Sequence, residues 1–455
     1  MSWPWCKKVL SKPGNKRLSL VELLANDSQS HNLKITASTM IATIFASLLL
    51  VSHASPVAVP EATATACTLS DVGQVCTVDS PAAADAAKRM EYRRLGRSGL
   101  LVSRLSFGAW ITFGEQVDED RAYEIMKLCL DAGINLFDNA EAYNAGLAER
   151  VMGKAFKRLE SEYPLPREHY VVTTKIFFGT ARGHGPTANR NRWVPNQRGL
   201  SRKHIIEGTR ASLRRLQMDY VDVIYAHRPD VHTPMEEIVR GFNHVIEQGQ
   251  AFYWCTSEWS AKQIEEAMNV AARLSLIPPI CEQPQYNMLH RTRFEQEYKP
   301  LYEKYDYGTT IWSSLSSGVL TGKYNNGIPE GSRLSLKSAN YILKQFQDGA
   351  RHTGLTFDDV LDKVRSLSSI AEQLKCTMAQ LAVAWCLKND RVTSVILGAT
   401  KTYQLEDNFG ALRVYDQLLL DENKNIMNDI EKILDNRPGG NEEKVYDWNV
   451  NPSLK

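Results

Sequence analysis

The chain lacks the cysteine and histidine patterns that hold metals or staple small scaffolds. Its eight cysteines (Cys6, Cys67, Cys76, Cys129, Cys255, Cys281, Cys376 and Cys386) include no CxxC, and none stands with a histidine at metal-ligand spacing. Neither a zinc site nor a disulfide-dense scaffold is indicated, and such thin cysteine usage suits a reducing compartment. A cytoplasmic location is therefore expected for the main folded domain. An excess of charge of one sign is lacking too, since 54 Lys and Arg against 52 Asp and Glu leave a formal net charge of +2. With no Lys/Arg run interleaved with aromatics, nucleic acid is not an expected partner. What remains is 43% hydrophobic and 23% charged over 455 residues, the composition of a folded protein able to bury a large core.

Long apolar runs are also scarce, with one exception near the N-terminus. From Ile35 to Pro60 there is no Asp, Glu, Lys or Arg, and Met40 to Val51 is strongly apolar. This centre is shorter than the roughly 20 residues that span a bilayer, and the small residues Ser52 to Pro56 follow it as a cleavage site follows a signal h-region. The basic residues upstream, from Lys7 to Lys34, stretch farther than a signal n-region usually does. A secretory signal, a membrane anchor, a mis-joined gene and a buried helix all stay open, and with them membrane association through residues 35–60. Residues 52–87, rich in Ala, Pro, Ser and Thr, read as a linker. Residues 1–88 are thus expected to be an extension, 89–438 a folded domain and 439–455 a polar tail.

From Met90 onward, short β-branched and aromatic runs alternate with longer amphipathic stretches, the signal of repeated βα units. The strand-like runs are Val102–Trp110, Asn135–Tyr143, Tyr170–Ile176, Tyr220–His227, Ala251–Trp259, Ile280–Tyr286, Thr309–Leu315 and Val392–Ala399. Helical patterns lie between them at Glu119–Ala132, Leu147–Leu159, Ser201–Gln217, Pro234–Gln248, Ser260–Leu274, Arg293–Lys304, Thr377–Leu387 and Tyr403–Leu412. Thr233 before Pro234, and Ser260, read as N-caps. Eight such units over about 320 residues predict an α/β fold of the closed (β/α)8, or TIM barrel, type. Two insertions, Gly179–Gln197 and Gly327–Phe357, lengthen the loops after the third and seventh strands. Gly183 to Ala188 satisfies the letters of a GxGxxA dinucleotide fingerprint. Its second Gly precedes Pro, and no apolar helix begins there, so it reads as a surface loop.

In such a barrel the reactive groups sit at the carboxyl ends of the strands. Strand two ends in Asp138 and Tyr143, strand three in Lys175 and strand four in His227. A buried Lys175 needs a counter-charge, and Asp138 on the neighbouring strand is the nearest candidate. A cation beside Tyr143 is expected to lower the phenol's pKa and make it a better proton donor, with His227 orienting a carbonyl oxygen. Taken singly, Tyr143 and His227 also read as satisfied loop residues, and Asp138 with Lys175 as a plain ion pair. Four on consecutive strand ends favour catalysis.

This constellation resembles the tetrad of the aldo-keto reductase superfamily. Gly108-Ala-Trp110, Leu136 to Tyr143, Thr174 to Ile176, Gly199 to Ile206, Asp222 to Asp230, Pro278 to Gln283 and Leu381 to Leu387 narrow the resemblance further. They are similar to the potassium-channel β subunits and their plant and fungal relatives, over roughly Tyr92 to Pro438. The resemblance implies Tyr143 as general acid, Lys175 as its pKa modifier, Asp138 as the partner of Lys175, and His227 as the residue that orients substrate. Animal channel subunits carry Asn at the position of His227, so this chain follows the enzymatic pattern there.

The resemblance also implies NADP(H), a hydride donor consistent with the lack of any metal or cysteine redox group. Trp110, Gln116 and Asp138 would line the nicotinamide, Ser257 and Gln283 would bond its carboxamide, and Trp312, Ser313, Ser314, Leu315 and Ser317 would follow the pyrophosphate. Lys323 and Arg333 would favour a 2′-phosphate. Thr400, Gln404, Asp407 and Asn408 would meet the adenosine, on a loop whose backbone donors at a helix start suit a phosphate. Where this chain has Asp407 and Ser314 the family usually has Glu and Pro, and where it has Glu258 the animal members have Arg, which points to altered affinity. The implied function is reduction of aldehydes or ketones, with a small carbonyl compound as substrate. The alternative is a channel β subunit using bound nucleotide as a redox sensor, with a potassium channel α subunit as partner. A homotetramer is the implied assembly.

Overall fold

Short runs of Val, Ile, Thr, Phe and Tyr, buried on both faces, become parallel strands because only a sheet covered on both sides can take near-continuous apolar sequence. In the computed structural model they are β1 (Leu105–Gly108), β2 (Leu136–Asp138), β3 (Val171–Ile176), β4 (Val221–Ala226), β5 (Ala251–Ser257), β6 (Cys281–Gln283), β7 (Gly308–Ile311) and β8 (Ser394–Leu397). They hydrogen-bond in chain order, and β8 returns to β1, closing the barrel. The structure describes residues 80–439 apart from 111, 115, 164, 181–193, 337–339 and 348–354, with the short stretches 68–70 and 73–75. The apolar segment 35–60, the GxGxxA-like segment and most of the insertion after β3 lie outside the described residues. No helix among the described residues is long and apolar enough to cross a membrane.

The helices that follow the strands are α1 (Glu119–Asp131), α2 (Leu147–Glu162), α3 (Arg202–Leu216), α4 (Met235–Glu247), α5 (Ala261–Arg273), α6 (Lys299–Tyr305), α7 (Met378–Lys388) and α8 (Thr402–Phe409). Capping sets several starts. Ser260 and Gln263 form a reciprocal capping box at α5, and Thr377 with Gln380 does the same at α7. The expected cap at Thr233 is not made. Its hydroxyl donates to Asp230 at 2.8 Å, and α4 begins after Pro234 without a side-chain cap.

Several predicted elements break where chemistry or packing intervenes. The run Val102–Trp110 divides at Arg104. Leu101–Ser103 pairs with Tyr92–Arg94 as a hairpin across the barrel floor, and β1 starts afresh at Leu105. Arg104 is buried at the break, with its guanidinium on Glu91 and on the carbonyl of Leu387. The run through Tyr143 stops as a strand at Asp138, and Tyr143 opens a 3-10 turn. Arg293–Lys304 becomes a π turn, Arg293–Glu297, followed by α6. Tyr403–Leu412 breaks at Gly410 into α8 and Ala411–Leu419.

Further helices, Phe357–Gln373 and Ile426–Leu434, pack their apolar faces on one another, and the first also meets α7. Another, Pro81–Arg89, stands where composition suggests linker. Ala83 and Ala86 are buried, Ser80 bonds Glu406 at 2.6 Å and Arg89 bonds Asp416 at 2.5 Å, so the packed region starts before residue 89. Inside the barrel floor, Leu95, Val102, Leu136, Val171, Val223, Tyr225, Cys255 and Cys281 form one cluster. Cys255 on β5 and Cys281 on β6, 26 residues apart in sequence, are joined as a disulfide with Cα atoms 4.9 Å apart. The parallel register of β5 and β6, with Glu282 opposite Thr256, makes them neighbours.

Candidate active site

Asp138, Thr173 and Lys175 come together because β2 and β3 pair in register, with Asp138 opposite Thr173. Lys175 is fully buried and donates to Asp138 Oδ2 at 2.5 Å, to the carbonyl of Asn139 at 2.8 Å and to the Tyr143 hydroxyl at 3.1 Å. The other oxygen of Asp138 accepts from Thr173 Oγ1 at 2.7 Å and from Gln283 Nε2 at 3.0 Å. All three ammonium protons are thus used, and the carboxylate is bonded on both oxygens, as a buried pair needs. Tyr143 is aimed by its turn, where Asn144, Ala145 and Gly146 all take positive φ (49°, 56° and 84°). The His227 ring stands edge-on to Tyr143 at 5.7 Å and to Phe178 at 5.1 Å.

The electrostatics differ in one respect from the sequence expectation. The Tyr143 phenol is held well above its ordinary pKa, by burial first and by the charge of Asp138 second, with Arg228 pulling the other way. The lowering expected from the neighbouring ammonium is outweighed by burial and by Asp138. Lys175 is itself pushed down by burial, against the pull of Asp138. Tyr143 therefore carries its proton throughout the neutral range, with a buried amine bonded to its oxygen.

Tyr143, Asp138 and His227 line a cavity of about 1110 Å³ at the carboxyl ends of the strands. The same cavity is lined by Trp110, Gln116, Ser257, Gln283, Trp312, Ser313, Ser314, Leu315, Ser317, Lys323, Arg333, Thr400, Gln404, Asp407 and Asn408. Of the residues singled out from sequence, Lys175 and Glu258 are not at its wall; Lys175 lies behind Tyr143. Across the mouth the Arg333 guanidinium sits 4.7 Å from the Trp110 ring, and Trp110 meets Trp312 edge-on at 5.9 Å. After β7 the chain turns through Ser313, Ser316, Ser317 and Gly318, all at positive φ, a conformation uncommon outside glycine.

Several of these groups already have partners within the chain. The backbone donors of Thr400 and Lys401 are already bonded to Gln404 Oε1, at 2.9 and 3.2 Å. Asp407 accepts from Thr377 at 3.0 Å and from Gln380 at 3.0 Å, so its carboxylate is engaged with α7. Glu258, at φ 60°, does not line the cavity. It accepts from the Trp312 indole at 2.9 Å, from the Gln285 amide at 2.7 Å and from Arg293 at 3.0 Å, and so ties the β7 loop in place. Sequence reasoning missed Arg228, Phe178, Gln285 and His290, which also line the cavity. Arg228 directly follows His227 and could have been noticed there; the others follow strand ends whose direction only the folded chain fixes.

The aldo/keto reductase family matches residues 104–428, the span that contains the whole barrel and cavity. A protein named probable voltage-gated potassium channel subunit beta, from Arabidopsis thaliana, is 49% identical over 350 residues, covering 77% of this chain and 98% of the relative. A protein of the same name from Oryza sativa subsp. japonica is 49% identical over the same length, with the same coverage. A putative voltage-gated potassium channel subunit beta from Schizosaccharomyces pombe is 48% identical over 352 residues, covering 77% of this chain and 95% of its own. With its barrel closed, its polar groups gathered at one rim and its sequence matched over that same region, the chain belongs to the aldo/keto reductase family of oxidoreductases, in the branch similar to potassium-channel β subunits.

Proposed function

We propose that the protein reduces aldehydes or ketones to alcohols with NADPH, using Tyr143 as the proton donor. The observation that carries this reading is the chain of bonds from Asp138 through Lys175 to Tyr143 at the wall of a large cavity. Lys323 and Arg333 face the same cavity, and Lys323 is pushed below its ordinary pKa by burial and by Arg333 beside it. Lys323 makes no ion pair among the described residues, so two adjacent cations favour an anion between them, which fits the phosphates of a dinucleotide. A cavity of this size exceeds the roughly 300–1,000 Å³ of a drug-sized pocket, leaving room for a second, smaller molecule. Bound there, NADPH would supply the hydride.

This chain's residues would handle the proton. His227 and Tyr143 would bond the carbonyl oxygen, and Tyr143 would pass its proton to that oxygen as negative charge develops. The Lys175 ammonium, already bonded to the phenol oxygen, would hold the resulting phenolate until it is reprotonated. Asp138 keeps Lys175 charged and aimed. Ser257, Gln283 and Asp138 would keep the nicotinamide face toward Tyr143, with Trp110 beside it. The test is NADPH oxidation with 4-nitrobenzaldehyde: the wild type turns over, and Tyr143→Phe binds NADPH but does not.

The similarity to channel β subunits favours a second reading, in which a homotetramer in the cytoplasm binds a potassium channel α subunit and senses the nucleotide's redox state. Co-purification of such a channel, with nucleotide bound and no turnover of any carbonyl, would support it against the first.

A further inference from the structure

We infer that the carbonyl compound this site prefers carries a carboxylate, recognised by Arg228. The inference rests on the reductase reading above and concerns the substrate end of the same cavity. Arg228 follows His227 at the end of β4 and lines the cavity beside Tyr143, Phe178 and His227. Its Nη1 donates to the His227 carbonyl at 2.5 Å and to Ser257 Oγ at 3.2 Å, which pins one corner of the guanidinium. The remaining edge, Nε and Nη2, takes part in no hydrogen bond among the described residues, and Arg228 makes no ion pair among them. Its ring neighbour is Phe178, 5.9 Å away. Its charge reaches the reactive groups, since it opposes the rise in the Tyr143 pKa and adds to the fall in that of Lys175.

A half-buried guanidinium pinned at one corner and open along one edge is built for two parallel bonds to a planar carboxylate. The ordinary alternative, a purely structural arginine, explains Nη1 but not the open edge. Asp138, the nearest carboxylate of the tetrad, is saturated by Lys175, Thr173 and Gln283 and makes no ion pair with Arg228. The aromatic walls of Trp110, Phe178 and His227 suit a flat or short apolar body between carboxylate and carbonyl.

The test compares 4-carboxybenzaldehyde with its neutral methyl ester, methyl 4-formylbenzoate, in the full-length wild type and in Arg228→Gln and Arg228→Lys. The expected result is a kcat/KM at least about tenfold higher for the carboxylate in the wild type, carried mainly by KM. Arg228→Gln should bring the ratio to near one, and Arg228→Lys should restore part of it. A wild-type ratio at or below one overturns the inference while leaving the reductase reading intact; so does a ratio unchanged in Arg228→Gln. Should Arg228→Gln fail to fold, the wild-type ratio and Arg228→Lys decide. If neither aldehyde oxidises NADPH, the reductase reading itself falls, and this inference with it.

Discussion

At the residue scale, the chemistry depends on a proton kept in place by burial. Tyr143→Phe leaves the cavity's shape and charge intact and removes only the donor, so turnover should fall by about 10² to 10⁴ with nucleotide affinity retained. Single-turnover kinetics with bound NADPH would check this. The direction of the Tyr143 shift also sets a pH dependence. Because the folded-state pKa lies above the ordinary value of 10.0, the donor stays protonated well into alkaline solution. The kcat/KM of the free enzyme should therefore show no loss from this group below about pH 10. An alkaline limb centred near neutrality that survives replacement of every other titrating group in the cavity would count against Tyr143 as donor. Asp138, Tyr143, Lys175 and His227 were legible in the sequence because each ends a strand-like run. The direction of the Tyr143 pKa was not, since it is set first by how completely the fold buries the phenol and then by the charge of Asp138 beside it.

At the scale of elements, placement of the reactive groups depends on close contacts that one extra carbon would destroy. Gly153 of α2 lies against α3, where a Cβ would stand 2.3 Å from the carbonyl oxygen of Leu216. That neighbour is backbone and cannot swing aside, so Gly153→Val should cost about 2–3 kcal/mol or more, read by chemical denaturation. Glu258 is the corresponding device on the polar side of the β7 loop. Losing its bonds to Trp312, Gln285 and Arg293 should free the loop that carries Ser313 to Gly318. Glu258→Ala is expected to weaken NADPH binding, measured by quenching of tryptophan fluorescence, more than it lowers kcat. Periodicity located all eight strands, since each is buried on both faces apart from Phe252 and Tyr253 near the start of β5. It could not locate the breaks at Arg104, Tyr143 and Gly410, which answer to contacts with distant residues.

At the scale of the whole molecule, a buried acid makes stability depend on pH. Glu282 on β6 lies behind the barrel wall, bonded by Thr256 at 2.5 Å and by the Trp259 amide at 3.2 Å. Burial, with Glu258 nearby, pushes its pKa from 4.5 up to about 8. Between those values the folded chain holds a proton that the unfolded chain has released. The stability from this group is fully present below about pH 4.5 and is lost as pH rises to about 8. Glu282→Gln should flatten that decline, giving a Tm advantage over wild type that is larger at pH 8 than at pH 5 in calorimetric scans. The helix Pro81–Arg89 provides a second test. A chain beginning at residue 90 should melt lower than one beginning at residue 80, because Ala83 and Ala86 leave part of α8 and Ala411–Leu419 uncovered without them.

The alternation of apolar runs with amphipathic stretches was enough to specify a closed parallel barrel, because both periods are local properties of the chain. The order of Asp138, Tyr143, Lys175 and His227 along it was enough to put the chemistry at one rim, since parallel strands end on the same side. Tertiary structure decided what depends on distance between remote residues. It joined Cys255 to Cys281, turned Glu258 away from the cavity, engaged Gln404 and Asp407 with their own neighbours, and left one edge of Arg228 open beside Tyr143. Charges interact through space, and the spacing of residues along a sequence does not record how far apart the fold will set them.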